Sequence, residues 1–297
     1  MRFGLYLIGR VTGNAPAATI ADPAFLAPFA QRAEALGFDS LFFADHIVYP
    51  AAKSEPYPYT ESGAYPYDNP DMQLAEPMAL CAYLAACTTT LHFGTAVLVL
   101  PQRHPMLLAK QTATIDRMSG GRLELGVGAG WLRDEFDALG YDFDGRGART
   151  DEYIEVMRAL WRQPVASFDG PTVRFRDVKL TTHPVQPGGV KIIVGGHSAP
   201  ALGRAGRLGD AFLPAMHIEG SAAQWPGMIA TVREHAEGAG RAGDAVELMG
   251  FGHSLDGARR LADLGATRTI IAMADADLGS ALDHLARAAD EIVHAFG

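Results

Sequence analysis

The sequence predicts an α/β fold: eight short strands alternate with helices and close into one barrel domain spanning residues 1–297. Three observations predict it. Short apolar runs recur between amphipathic stretches along the whole chain. No linker or low-complexity segment divides it. Every unusual group of residues follows a strand, which is where the loops of a TIM (β/α)8 barrel build their site. A doubly wound open sheet is the alternative arrangement for the same alternation. The barrel carries insertions after strands two and four and before strand five.

Each element has a local reason. Phe3 to Ile8 is a compact apolar run bounded by Gly9 and Gly13, the first strand. Asp22-Pro23 opens a helix, with Asp as cap and Pro in the first turn. Phe25, Phe29, Ala33 and Leu36 share one face of it, and Gly37 stops it. Ser40 to Ala44 is the second strand, with Asp45-His46 at its C-terminal end. Residues 47–74 then form a long irregular loop, rich in Pro and carrying Tyr49, Tyr57, Tyr59, Tyr65 and Tyr67. Loops that long inside a compact domain are usually functional or disordered. Glu76-Pro77 opens a helix to Cys87, Leu91 to Leu100 is the third strand, and Pro105 to Met118 the third helix.

Gly120 and Gly121 end that helix, because glycine takes the left-handed conformation readily. Leu123, Leu125 and Val127 alternate with Arg122, Glu124 and Gly126, which predicts the fourth strand over 122–127. It breaks into Gly126, Gly128 and Gly130, with Trp131 next. Bare backbone there suits close approach of a ligand. The spacing is not a dinucleotide fingerprint, which needs Gly-x-Gly-x-x-Gly at a helix start. Residues 131–149 read as a second loop, 150–161 as a helix, and 165–182 as a hairpin turning at Asp169-Gly170. Val190 to Val194 is strand five and opens into Gly195-Gly196-His197-Ser198. Strands follow at 211–213, 246–251 and 268–272, with helices at 200–208, 222–236, 255–264 and 278–294.

Composition excludes several classes. Net charge is −9 and the sequence pI about 5.5, which weighs against nucleic acid and against an anionic membrane surface as partners. No apolar run reaches membrane-spanning length, and the first strand is too brief for a signal segment, so a cytoplasmic protein is expected. Cys81 and Cys87 read as core residues. His104, His183 and His217 are scattered without ligand spacing, so no metal site is expected. No Gly-x-Ser-x-Gly elbow supports a serine nucleophile. Met106, Leu107 and Met118 read as a core stripe.

The candidates for chemistry each carry a bland alternative. His46 can donate a proton near neutral pH, or be a histidine satisfied by Asp45. Asp45 can orient His46, meet a ligand, or cap the next turn. Gly195-Gly196-His197-Ser198 exposes N–H groups at a helix start, which suits phosphate; a plain Ser198 cap accounts for it equally. Arg146 and Arg149 can meet an anionic tail or simply be solvated.

Ala44-Asp45-His46, Gly94-Thr95-Ala96-Val97-Leu98, Ser119 through Trp131, Arg149 through Tyr153, Val194 through His197 and Ala205 through Ala211 follow one another along nearly the whole chain. Taken in that order, they resemble the luciferase-like flavin and deazaflavin oxidoreductase superfamily. The resemblance implies a TIM barrel with a flavin-type ring in its mouth and, in many members, a homodimer. Asp45-His46 resembles members that use coenzyme F420, a deazaflavin. There the Asp and His contact the ring, and the His is a proposed proton donor. Many FMN monooxygenases carry Glu-His-His instead. The resemblance also implies a non-proline cis peptide near Ala96-Val97, bulging behind the ring. In a sugar-phosphate branch a catalytic Glu follows the third Gly. Trp131 stands there in this chain, which points to an apolar or aromatic substrate.

The expectation is an oxidoreductase using F420 to transfer a hydride to or from a small organic molecule. His46 is the catalytic candidate. Asp45, Ala96, Val97, Gly128, Ala129, Gly130, Trp131, Arg149, Gly195, Gly196 and His197 are the cofactor-binding candidates. An FMN monooxygenase using dioxygen is the alternative, and a non-catalytic flavin-binding barrel the second.

Overall fold

Parallel strands close into a ring in a computed structural model that describes residues 1–7, 20–60, 62–64, 74–273 and 277–296. Ile8, Gly9, Gly13, Tyr65 and Tyr67 lie outside the described residues. In chain order the first half comprises β1 (Arg2–Leu7), α1 (Pro23–Ala35), β2 (Ser40–Phe43), α2 (Pro77–Cys87), β3 (His92–Thr95), β4 (Leu98–Val99), α3 (Pro105–Ser119), β5 (Leu123–Gly128), α4 (Arg133–Leu139) and α5 (Arg146–Arg162). The second half comprises β6 (Ala166–Asp169), β7 (Arg174–Val178), β8 (Lys191–Gly195), α6 (Ala199–Leu208), β9 (Ala211–Leu213), α7 (Ile218–Ser221), α8 (Trp225–Gly238), β10 (Glu247–Phe251), α9 (Leu255–Asp263), β11 (Arg268–Met273) and α10 (Leu278–Ala288). The main sheet runs β3-β2-β1-β11-β10-β9-β8-β5-β4, and a further β3–β5 pairing closes it. β3 and β4 are two halves of one strand, so the ring has the eight strands of a TIM barrel. β6 and β7 form the expected antiparallel hairpin outside it, where Gly170 N–H donates to Val173 O at 3.0 Å.

Strand periodicity divides the core in two. Leu5, Leu41, Leu125, Val194 and Phe212 face outward and pack under the helices. Tyr6, Phe42, Ala44, Ile193, Leu213, Met249 and Ile270 face inward and form a separate cluster within the ring. The start signals act as expected: Asp22 accepts the Ala24 N–H and Glu76 the Ala79 N–H, both at 2.8 Å. Gly120 ends α3 at φ 69°.

The cis peptide that the resemblance implies joins Ala96 to Val97 and divides the third strand into β3 and β4. Two expectations are corrected. Residues 131–149 are not all loop, since α4 forms within them and α5 begins at Arg146. α4 spans seven residues, too few for a periodic pattern to show. α7, four residues long, carries no periodic pattern in the sequence for the same reason. Leu107 and Met118 are not core but 59% exposed, on the outer face of α3.

The N-terminal end of the barrel is closed by charge. Arg268, fully buried, donates from Nη1 and Nη2 to Glu124 at 2.7 and 2.9 Å, and from Nη2 to Asp39 at 3.1 Å. His92 Nδ1 stands 3.2 Å and Lys191 Nζ 3.5 Å from Glu124, while Lys191 and Arg2 also pair with Glu247. Burial alone would push the Glu124 carboxyl up, but His92, Arg268 and Lys191 hold it far below the usual carboxylate range. Among the described residues no helix is long and apolar enough to cross a membrane.

Candidate active site

The C-terminal ends of the strands surround a cavity of about 540 Å³. Its wall is built on the cis Ala96–Val97 step, and neighbouring glycines make that step possible to pack. A Cβ on Gly126 would lie 1.9 Å from Thr95 O, one on Gly128 2.7 Å from Val97 Cγ2, and one on Gly195 2.4 Å from Val97 Cγ1. These glycines therefore admit the bulged strand, and Gly128 and Gly195 also line the cavity.

His46 continues the inward-facing series Ser40, Phe42 and Ala44 and reaches the cavity. Its Nδ1 lies 2.8 Å from Glu135 Oε2, and Glu135 Oε1 accepts the N–H groups of Ile47 and Val48 at 2.7 and 3.3 Å. Glu135 is buried at the start of α4. A carboxylate accepts, so the contact with Glu135 places the N–H of the ring at Nδ1. Asp45 points the other way, as neighbours on a strand do. Its carboxylate takes Arg103 in a two-point pair at 2.6 and 2.8 Å and the Val99 N–H at 2.9 Å. Asp45 borders the cavity, but it braces the strand beyond the bulge and does not pair with His46.

Aromatic rings span the mouth. Tyr49 lies 5.2 Å and Trp131 6.3 Å from the His46 ring, Tyr57 5.0 Å from Trp131, Tyr59 5.3 Å from Tyr57, and His197 4.9 Å from Tyr59. The Tyr-rich loop thus supplies the cavity wall between β2 and β8, with Tyr57, Tyr59 and Thr60 on its surface.

The model of the luciferase-like monooxygenase family matches residues 1–262. An uncharacterised protein of Mycobacterium tuberculosis is 36% identical over 259 residues, which is 86% of this chain and 87% of that protein. The chain belongs to the luciferase-like monooxygenase family. An FMNH2-dependent dimethylsulfone monooxygenase of Pseudomonas putida is 37% identical over 153 residues, 50% of this chain and 42% of that enzyme. The coenzyme F420-dependent tetrahydromethanopterin reductase of Methanopyrus kandleri shares the fold, with TM-score 0.74 and 16% identity over 100% of this chain and 99% of that one.

A flavin-type group fits what the site offers. Ala96, Val97, Gly128, Ala129, Gly130, Trp131, Gly195 and Gly196 all line the cavity. Ser198 precedes α6 without a side-chain cap bond, so the plain-cap account of Gly195-Gly196-His197-Ser198 does not hold, and N–H groups at the start of α6 are left for an anion. Two expected residues stand elsewhere. His197 lies behind the wall against Tyr59; its Nδ1 is buried without a partner among the described residues, and burial pushes its pKa down. Arg149 turns away to the carbonyls of Pro101 and Asp142. Arg146 takes the cavity position, donating to Gly130 O at 3.0 Å. Arg204, paired with Asp151 and Gly147 O, lines it too.

Sequence reasoning missed Glu135 and Arg204. Glu135 could be sought as an acid in a first turn shortly after Trp131. Arg204 lies inside a helical pattern and carries no local signal. Glu219 stands two residues from His217 in the sequence, and the fold brings His253 against both.

Proposed function

We propose that the protein is an oxidoreductase that binds coenzyme F420 and passes a hydride between it and a small apolar or aromatic organic molecule. The observation that carries this reading is the divided Asp45-His46 pair. Asp45 is spent on Arg103 and Val99, while His46 stands in the cavity wall with its tautomer set by Glu135. The deazaflavin supplies the hydride chemistry when bound. His46 Nε2 holds the proton that the substrate gains, and Glu135 steadies the ring as its charge changes. Arg146, Arg204 and the free N–H groups at the start of α6 attract the anionic part of the cofactor. Trp131, Tyr57, Met216 and Phe251 line the cavity and suit an apolar substrate.

The 37% identity to an FMNH2-dependent monooxygenase favours a second reading, an FMN monooxygenase using dioxygen. Absorbance titration of the purified protein with F420 and with FMN, followed by anaerobic assay against enones and imines, separates the two. Saturable F420 binding and turnover without oxygen are expected. Tight FMN binding with no F420 binding, and turnover only with oxygen, would overturn the F420 reading.

A further inference from the structure

The geometry points to a divalent transition-metal site at the cavity rim, formed by His217, Glu219 and His253. One ligand atom from each lies within 4.8 Å of the others. The three come from two adjoining segments. His217 and Glu219 open the short turn after β9, and His253 stands between β10 and α9. Backbone pairing of His217 with Phe251 ties the segments together.

The carboxylate is already oriented. Glu219 Oε1 accepts the His253 N–H at 2.9 Å and the Ser254 hydroxyl at 3.0 Å. Gly257 leaves room for it, since a Cβ there would lie 2.1 Å from that oxygen. The second oxygen, Oε2, is buried and makes no hydrogen bond among the described residues. It stands 3.3 Å from His253 Nδ1. Metal–ligand bonds of about 2.0–2.1 Å in a tetrahedron put neighbouring ligand atoms roughly 3.3 Å apart, so this edge matches. His217 Nδ1 is likewise buried without a hydrogen-bond partner among the described residues. Glu219 Oε2 has the His253 imidazole beside it and His217 Nδ1 has no hydrogen-bond partner among the described residues, so an ion shared by the three would satisfy both. Two imidazoles and one carboxylate suit zinc, cobalt or ferrous iron better than magnesium or calcium. His217 also lines the cavity, so the ion would stand at its rim with a coordination position to spare.

Calorimetric titration of the metal-stripped full chain with zinc chloride tests the site, with cobalt chloride as the spectroscopic probe. One-to-one zinc binding and visible cobalt d–d bands of a low-coordinate ion are expected. Both should be lost in His253→Ala, whose exposed ring can be removed without opening the core, and in Glu219→Gln. They should persist in His294→Ala, which removes an exposed histidine elsewhere. An absence of one-to-one zinc binding by the unaltered chain, or its survival in both His253→Ala and Glu219→Gln, would overturn the assignment.

Discussion

At the N-terminal end of the barrel Arg268 and Glu124 are buried and take up each other's charge; at the C-terminal end His46 and Glu135 are paired as closely but beside a cavity. The lower pair joins β5 to β11, whereas the upper one joins the end of β2 to α4. Below, each charged group is met by charged neighbours. Above, the ring of strands is left unfilled and aromatic side chains from a loop enclose it. The difference teaches where this protein keeps stability and where it keeps chemistry. Closure of one end by buried ion pairs leaves the other to hold helix-start N–H groups, a histidine oriented by a carboxylate, and open volume.

Breaking the lower pair should have the largest effect on the fold. Arg268→Ala leaves the Glu124 carboxylate buried without its main partner, and such losses cost about 3–5 kcal/mol. Urea unfolding should show that loss, and combining it with Glu124→Leu should recover much of it. An unchanged midpoint for Arg268→Ala would remove the closed end as the source of stability.

The matching change above should act on rate. His46→Gln keeps a donor for Glu135 but loses the imidazole. Turnover should fall by about 10²- to 10⁴-fold, the usual contribution of a general acid, with the urea midpoint nearly unchanged. Measuring cofactor dissociation constant and saturated turnover together separates proton donation from ring binding, because a binding role would be rescued by excess cofactor.

Gly195→Ala sharpens the comparison at the bulge. Its Cβ would meet Val97 Cγ1 at 2.4 Å, an overpacking worth about 1–3 kcal/mol. Cofactor affinity should drop, and Val97→Ala in the same chain should restore both stability and affinity. Additive losses in the double variant would contradict the close approach.

The smallest effect expected is in acid. Burial raises the Glu247 carboxyl, but Lys191, Thr267 and Arg2 hold it below its ordinary value, and Glu124 is likewise depressed. A depressed carboxyl contributes stability above its unfolded pKa, about 4.3, and loses it as pH falls through the folded value. Thermal melts should therefore decline below about pH 4.5, and less steeply in Glu247→Gln than in the unaltered chain.

Much of this was legible before any tertiary contact was known. The strand and helix periods, the caps at Asp22, Glu76 and Gly120, and the hairpin near Gly170 rest on neighbours close in sequence. So does the placing of His46 after an inward-facing strand series. The order of short motifs along the chain pointed to the family for the same reason. Arg146 and Arg149 show the limit: three residues apart at one helix start, they look alike in sequence, and only the packed loop decides which meets the cavity. Glu135 meets His46 across 89 residues, Arg268 meets Glu124 across 144, and His253 meets Glu219 across 34. Those pairings depend on how the ring closes and on strand register, where a shift of one residue would turn every side chain to the other face. Local sequence sets which groups can be offered to the interior; closure of the barrel selects which of them meet.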